Sequence, residues 1–436
     1  MDPVQIGIIG IVVLFILLFA EMHIGFALAL VGFVGFAIIG GPGAALGIVG
    51  RIPYRSLASY TFSVFPLFML MGEFASSSGL LKDAYRAINT WIGHLPGGLA
   101  MATVGGCGAF GAVCGSSAAT SATTARVALP EMLKYNYDPA LAAGSIAAGG
   151  TLGILIPPSL GFIVYGMLAE QSIGKLFMAG IFPGLLEIVL YWITIYIVCK
   201  LNPKMGPRGP KTSWKAKLFS IKDFWGIALI FVVVMGGIWG GIFTPTEAGS
   251  IGLLATFLLA LSKGQVTRQN ITPTFLAALK NTGIVFTLML GAMLFAYFVT
   301  VTRLPAMLAD LVGNLDVPPM AVYLVILFCY LILGCFLDVV SLKFITLPIF
   351  LPIVSALGFD LIWFGVCVVI MTEIGLITPP IGLNVFLIAG MAPDIPMSKI
   401  FRGILPFFIS DLFHISLVVA FPQIALFLPS TMMGKK

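Results

Sequence analysis

Two stretches hold the residues able to do chemistry in an otherwise apolar chain. The first reads GGCGAFGAVCGSSAATSATTARVALPEM over 105–132 and ends in GGTLGILIPPS over 149–159. The second reads GCFLDVVSLKFITLPIFLP over 334–352 and ends in TEIGLITPPIGLN over 372–384. Glycines, hydroxyls, one carboxylate and paired prolines interrupt runs that could otherwise span a bilayer. A helix that stops part-way exposes carbonyl oxygens at one end and amide groups at the other. Carbonyls and hydroxyls suit a partly dehydrated hard cation such as Na⁺, and free amides at helix N-termini suit a carboxylate. On the first stretch the candidates are Gly115, Ser116, Ser117 and Thr120 at the tip, and Ser159 just past Pro157-Pro158. On the second they are Asp338, Ser341, Gly375, Thr378 and Asn384, around Pro379-Pro380.

Asp338 is the sharpest single signal. A carboxylate inside a spanning run costs about 2.5–3.5 kcal/mol on insertion scales, so an acid there is a functional candidate by default. The expected roles are cation ligand or substrate contact. Lys343 and Arg126 are the only basic residues in the two stretches, and Lys343 is expected near the cavity, tuning anion selectivity, or else snorkelling to the interface. Glu73, Glu187, Glu373 and Asp411 are lesser candidates, and Glu247 in TPTEAG (244–249) reads as a helix cap. Enzyme chemistry finds little support. His23, His94 and His414 lie far apart in sequence, no glycine motif pairs Asp411 with Asp338, and metal-ligand spacing is absent. The six cysteines lack paired spacing and read as small core residues.

These candidates need membrane-spanning elements to hold them. Of 436 residues 59% are hydrophobic and 9% charged, with mean hydropathy +1.10, which excludes a soluble domain. The net charge of +6 calls for no nucleic acid, because the basic residues gather in loops. Apolar runs of spanning length predict crossings at 4–20, 24–40, 57–78, 141–168 and 176–199, then at 223–243, 246–262, 275–300, 361–389 and 404–428. With an acidic start and no small-residue cleavage site, the first run is expected to be a retained span. Segments 97–134 and 318–355 are each interrupted near the middle and are expected to enter the membrane and return. The amphipathic pieces 80–93 and 303–315 are expected to lie along the interface before them.

The halves repeat. Gly153-Ile-Leu-Ile-Pro-Pro158 matches Gly375-Leu-Ile-Thr-Pro-Pro380, and Asp138 matches Asp360 at the same spacing. GKLFMAGIFPG (174–184) resembles SKIFRGILPF (398–407). Five crossings per half is odd, so the second copy must insert upside down. With the N-terminus outside, 15 basic residues face inward and 6 outward, the latter including Lys435 and Lys436. The loop 200–222 dominates that bias and is expected to be cytoplasmic.

GSSAATSATTARVALPEM, GILIPPS, the Gly334-to-Asp338 spacing and GLITPPIGLN together resemble the large membrane subunit of tripartite ATP-independent periplasmic (TRAP) transporters, the DctM type. The resemblance covers essentially the whole chain, including FPLFMLMGEFASSSGL (65–80) and TPTEAG. It implies an all-α polytopic protein of the bacterial inner membrane with inverted repeats and an elevator-like transport domain. It further implies Na⁺-coupled uptake of a small organic acid such as a C4-dicarboxylate, sialic acid or sugar acid. The implied partners are a small four-helix membrane subunit and a soluble periplasmic binding protein. By position, ion and substrate contacts fall on Gly115, Ser116, Ser117, Ser159, Asp338, Gly375 and Thr378. Cys114 stands where the family commonly has serine, and a thiol is a poorer ligand for a hard cation. The expected division places scaffold in 1–96 and 169–316, transport elements in 97–168 and 317–389, and a last helix in 390–436. The rival within this class is a carboxylate transporter of another inverted-hairpin superfamily that works without a binding protein.

Overall fold

The computed structural model describes residues 2–313 and 316–432, and among these every regular element is helical. The chain opens with α1 (Pro3–Phe19), α2 (Ile24–Gly40) and α3 (Pro42–Leu57), and a short 3-10 turn at Tyr60–Ser63 leads into α4 (Val64–Ser77). Then come α5 (Leu80–Ile92), α6 (Gly98–Cys114), α7 (Ser117–Lys134), α8 (Pro139–Leu155), α9 (Leu160–Leu168) and α10 (Ile173–Leu201). The second half follows the same plan: α11 (Trp214–Trp239), α12 (Pro245–Ser262), α13 (Arg268–Val301) and α14 (Leu304–Gly313). It continues through α15 (Pro319–Gly334), α16 (Val339–Ala356), α17 (Leu361–Ile377), α18 (Leu383–Met391), α19 (Met397–Ala420) and α20 (Gln423–Ser430). Among the described residues six helices are long and apolar enough to cross a membrane, or eight if each of two bent pairs counts as one span.

Local chemistry sets the boundaries, and it does so twice over. Asp138 caps α8 by accepting from the Ala140 amide at 2.7 Å. Its counterpart Asp360 caps α17 by accepting from Ile362 and Trp363 at 2.8 and 3.0 Å. Each capped helix then stops at a proline pair, because proline offers no N–H to continue the ladder. The chain resumes as α9 after Pro157-Pro158, bent by 44° from α8, and as α18 after Pro379-Pro380. Both Pro-Pro bonds are cis. Thr244 and Glu247 form a reciprocal capping box at the start of α12, the role expected of that glutamate.

Helix pairs close up through glycine. A Cβ on Gly32 of α2 would fall 2.5 Å from the Leu294 carbonyl carbon of α13, so these two long helices pack backbone to backbone. The same device joins each hairpin to its broken helix. A Cβ on Gly111 (α6) would lie 2.7 Å from the Gly153 Cα (α8), and one on Gly375 (α17) 2.6 Å from the Gly334 carbonyl carbon (α15).

The structure departs from the expected spans in three places. Residues 42–57 form α3, a helix not foreseen because Arg51, Pro53 and Arg55 interrupt its apolar pattern. The crossing expected at 57–78 is shortened to α4, which follows α3 after a bend. The crossing expected at 404–428 is two helices, since α19 ends at Ala420 ahead of Pro422 and α20 begins at Gln423. The interfacial piece 80–93 is α5, which buries Leu81, Ala84 and Tyr85 and turns Lys82 and Arg86 outward. Of the piece 303–315, α14 covers 304–313, while 314 and 315 lie outside the described residues, as do Lys435 and Lys436. The six cysteines are all free, five buried and Cys329 half-buried.

The basic loop after α10 is pinned to the open end of the first hairpin. The Gly97 amide donates to the Gly206 carbonyl at 3.0 Å, and the Asp138 amide to that of Met205 at 3.0 Å. The Gly209 amide donates to the Gly93 carbonyl at 2.9 Å, and the Tyr137 hydroxyl to that of Pro207 at 3.0 Å. The Lys263–Asp83 ion pair ties the end of α12 to α5. The segment expected as a loop over 200–222 is non-helical only from 202 to 213, since α10 runs to Leu201 and α11 begins at Trp214.

Candidate functional site

The tips of the two hairpins and the two helix breaks meet at one cavity of about 340 Å³. At the first tip α6 ends at Cys114, and Gly115 turns the chain with φ +67, in the region glycine enters without penalty. Ser116 then caps α7 by accepting from the Ala119 amide at 3.4 Å. At the facing break the Ser159 hydroxyl donates to the Ile154 carbonyl and accepts from the Phe162 amide. The two pieces are stitched directly: the Leu160 amide donates to the Gly115 carbonyl at 3.2 Å. At the second tip the half-buried Asp338 carboxylate accepts from the Val340 and Ser341 amides at 3.0 and 3.1 Å, capping α16. At the second break the Thr378 hydroxyl donates to the Ile374 carbonyl at 2.6 Å.

The cavity is framed by helix starts. Ser117, Leu160, Val339 and Leu383 are the first residues of α7, α9, α16 and α18, and all four line it. Partial positive charge from four N-termini is thereby brought to one space, with Asp338 as a fixed negative charge beside it. Asn384 is buried and lines the same space, and its side-chain amide nitrogen, itself buried, makes no hydrogen bond.

Ser116, Ser117, Asp338 and Asn384 thus come together as wall residues. Gly115, Thr120, Ser159, Gly375 and Thr378 sit just behind that wall, in the turns and helix ends that build it. Thr120 is packed on Gly153. Lys343 is neither a wall residue nor at an interface. It is fully buried, its ammonium donates to the Val339 carbonyl at 3.3 Å, and it lies beside Gly161 of α9. Cys114 is a wall residue and is pressed from outside, since a Cβ on Gly72 of α4 would stand 2.6 Å from its carbonyl oxygen.

The remaining wall comes from helices outside both stretches. α4 supplies Phe65, Met69, Glu73 and Ser76, and α13 supplies Asn281, Ile284 and Val285. The Asn281 amide donates to the Glu73 carboxylate at 3.2 Å, and Ser76 and Thr123 of α7 share a hydrogen bond at 2.9 Å. Asn281 gave no signal in the sequence, being one amide in a 34-residue helix with no partner near it in the chain. Asp338 also borders a second space of about 280 Å³ lined by Met22, His23 and Leu288, so the carboxylate stands between two openings.

Paired hairpins and paired helix breaks closing on one cavity in an all-helical, membrane-spanning chain define a transport protein rather than an enzyme. The chain belongs to the family of the DctM component of tripartite ATP-independent periplasmic transporters, whose model matches residues 11–424. It is 37% identical to the C4-dicarboxylate TRAP transporter large permease protein DctM of Pseudomonas aeruginosa, over 86% of this chain and 88% of that one. It is 31% identical to the sialic acid TRAP transporter large permease protein SiaM of Vibrio cholerae, over 96% and 97%. Among solved structures the YdaH transporter of Alcanivorax borkumensis matches with a TM-score of 0.67 over 91% of this chain and 90% of that one. At 14% identity that likeness concerns the fold alone.

Proposed function

We propose that this permease subunit imports a small organic anion together with Na⁺ across the bacterial inner membrane, in an elevator-type cycle. The observation that carries the reading is the cavity on which four helix N-termini and two hairpin tips converge. An organic carboxylate suits the N-terminal amides and the Asn384 side chain. Na⁺ suits Asp338 with the hydroxyls and carbonyls of the tips and breaks, at Gly115, Ser116, Ser117, Thr120, Gly375 and Thr378. A bound cation also offsets the charge of the anion in a space with no basic side chain in its wall. A carboxylate cargo agrees with the C4-dicarboxylate and sialic acid in the names of the two relatives.

In this reading 97–168 and 317–389 travel as the transport elements, and 1–96 and 169–316 include the scaffold against which they move, with α4 and α13 as the facing wall. The family's description as tripartite supports two partners: a periplasmic binding protein delivering substrate and a small four-helix subunit on the scaffold. The loop 200–222 then faces the cytoplasm. The test is uptake into proteoliposomes holding the chain with its small subunit and binding protein, across C4-dicarboxylates, sialic acid and sugar acids. Uptake of one of these acids, present with an inward Na⁺ gradient and lost when it is collapsed, is the expected result. Equal uptake without the gradient removes the coupling, and full activity without the binding protein favours a two-component or single-component carrier.

A further inference from the structure

α10 and α19 pack side by side, both against α8 and α17, and hold a second group of ionisable side chains that line no part of the cavity. Glu187 from α10, and Asp411 and His414 from α19, are 5%, 2% and 0% exposed. The Thr151 hydroxyl of α8 donates to one Glu187 oxygen at 3.3 Å, and His414 Nδ1 lies 3.7 Å from the other. No partner stands in good hydrogen-bond geometry to the Asp411 oxygens or the His414 ring nitrogens, although the Tyr191 hydroxyl neighbours Asp411 and the Pro183 backbone neighbours His414.

Two carboxylates at this depth need neutralising, since each charge costs about 2.5–3.5 kcal/mol even on insertion scales. The packed neighbours supply little. The Tyr191 hydroxyl adds no charge, and α8, α18 and α20 contain no acidic or basic residue. From α17 comes Glu373, a further acid within electrostatic reach, and the nearby cation Lys343 of α16 faces that residue. A metal ion does not fit, because among the described residues no three His, Cys, Asp or Glu side chains are placed to ligate one ion. Protons do fit: two of them added to two carboxylates and a neutral imidazole give zero net charge. The imidazole, whose Nδ1 faces Glu187, is a further acceptor.

We propose that Glu187, Asp411 and His414 form an occluded proton-binding site between α10 and α19, distinct from the substrate cavity, whose occupancy sets the transport rate. The step is protonation alone: a proton passes from water onto a carboxylate oxygen or an imidazole nitrogen, and no other bond changes. The native protein then holds protons that the unfolded chain releases, so stability falls as pH rises through the site's titration.

The first test needs no substrate and is independent of the function proposed above. An infrared titration of the purified chain in lipid nanodiscs, run upward from acid pH, should show a protonated-carboxyl band that disappears as pH rises. That band should be reduced in Asp411→Asn and in Glu187→Gln. The melting temperature of the wild type should fall over the same range, and less so in either variant. A band that does not titrate, or one retained in full by both variants, overturns the proposal. The wild-type titration decides the matter even if a variant fails to fold. In proteoliposomes at fixed Na⁺ and substrate gradients, wild-type uptake should fall several-fold over this range and Asp411→Asn uptake should stay flat. A flat wild-type profile removes the control over rate. Titration of the band without uptake of any tested acid instead counts against the organic-acid reading and leaves the proton site standing.

Discussion

Asp338 does two jobs at one position. Its carboxylate caps α16 through the Val340 and Ser341 amides and also faces the cavity with its negative charge. Asparagine caps a helix about as well as aspartate, so the two jobs can be separated. Asp338→Asn should keep the fold and melting temperature while abolishing Na⁺-dependent uptake; normal uptake by that variant would remove the charge from the mechanism. Lys343 teaches the complementary lesson. Its place in the second hairpin was plain from the sequence, but not the direction of its side chain, which packs beside α9 rather than into the cavity. Asn281 was invisible because its partner Glu73 lies over 200 residues earlier in the chain. Asp411 looked weak for want of a motif beside it, yet the fold buries it on the same helix as His414 and within electrostatic reach of Glu187.

Among the elements, the hairpins and broken helices were the legible part, because glycine, hydroxyl and proline signals are local and the repeat doubles them. The matching pairs Asp138/Asp360 and Gly153/Gly375 occupy matching structural roles. What stayed hidden were elements whose limits depend on single residues, such as α3 with its internal arginines and the break between α19 and α20. Close contact at the glycines sets a stability prediction. Gly375→Ala puts a methyl 2.6 Å from the Gly334 backbone, with no flexible side chain to yield. It should destabilise the protein by about 1–3 kcal/mol, read as a lower melting temperature. Gly283→Ala on α13 meets no atom within 4 Å and should not. The prolines set another. Replacing Pro157 and Pro158 by alanine restores the missing amides and lets α8 run on towards α9, taking the Ser159 turn away from the cavity. Uptake should be lost in a folded protein, and retention of full uptake would show that the break is dispensable.

For the molecule as a whole, the cavity wall is shared between two kinds of element. The hairpins and breaks supply the polar groups, while α4 and α13 supply an opposing face joined to them by few polar contacts, Ser76 with Thr123 among them. α13 is fastened instead to α2 through close-packed glycines. In the proposed reading the hairpin side carries the cargo and the α4–α13 side is the wall against which it moves, the division that alternating access requires. Labelling of single cysteines at Ser117 and Asn384, in a background with the six native cysteines replaced, measures this directly. A membrane-impermeant thiol reagent is applied from one face or the other, with Na⁺ and substrate conditions chosen to hold each end of the cycle. Both positions should react from one face in one condition and from the opposite face in the other. Reaction from both faces in the same condition would mean a continuous pore, and reaction from one face under every condition would mean that the site does not move; either result contradicts the account.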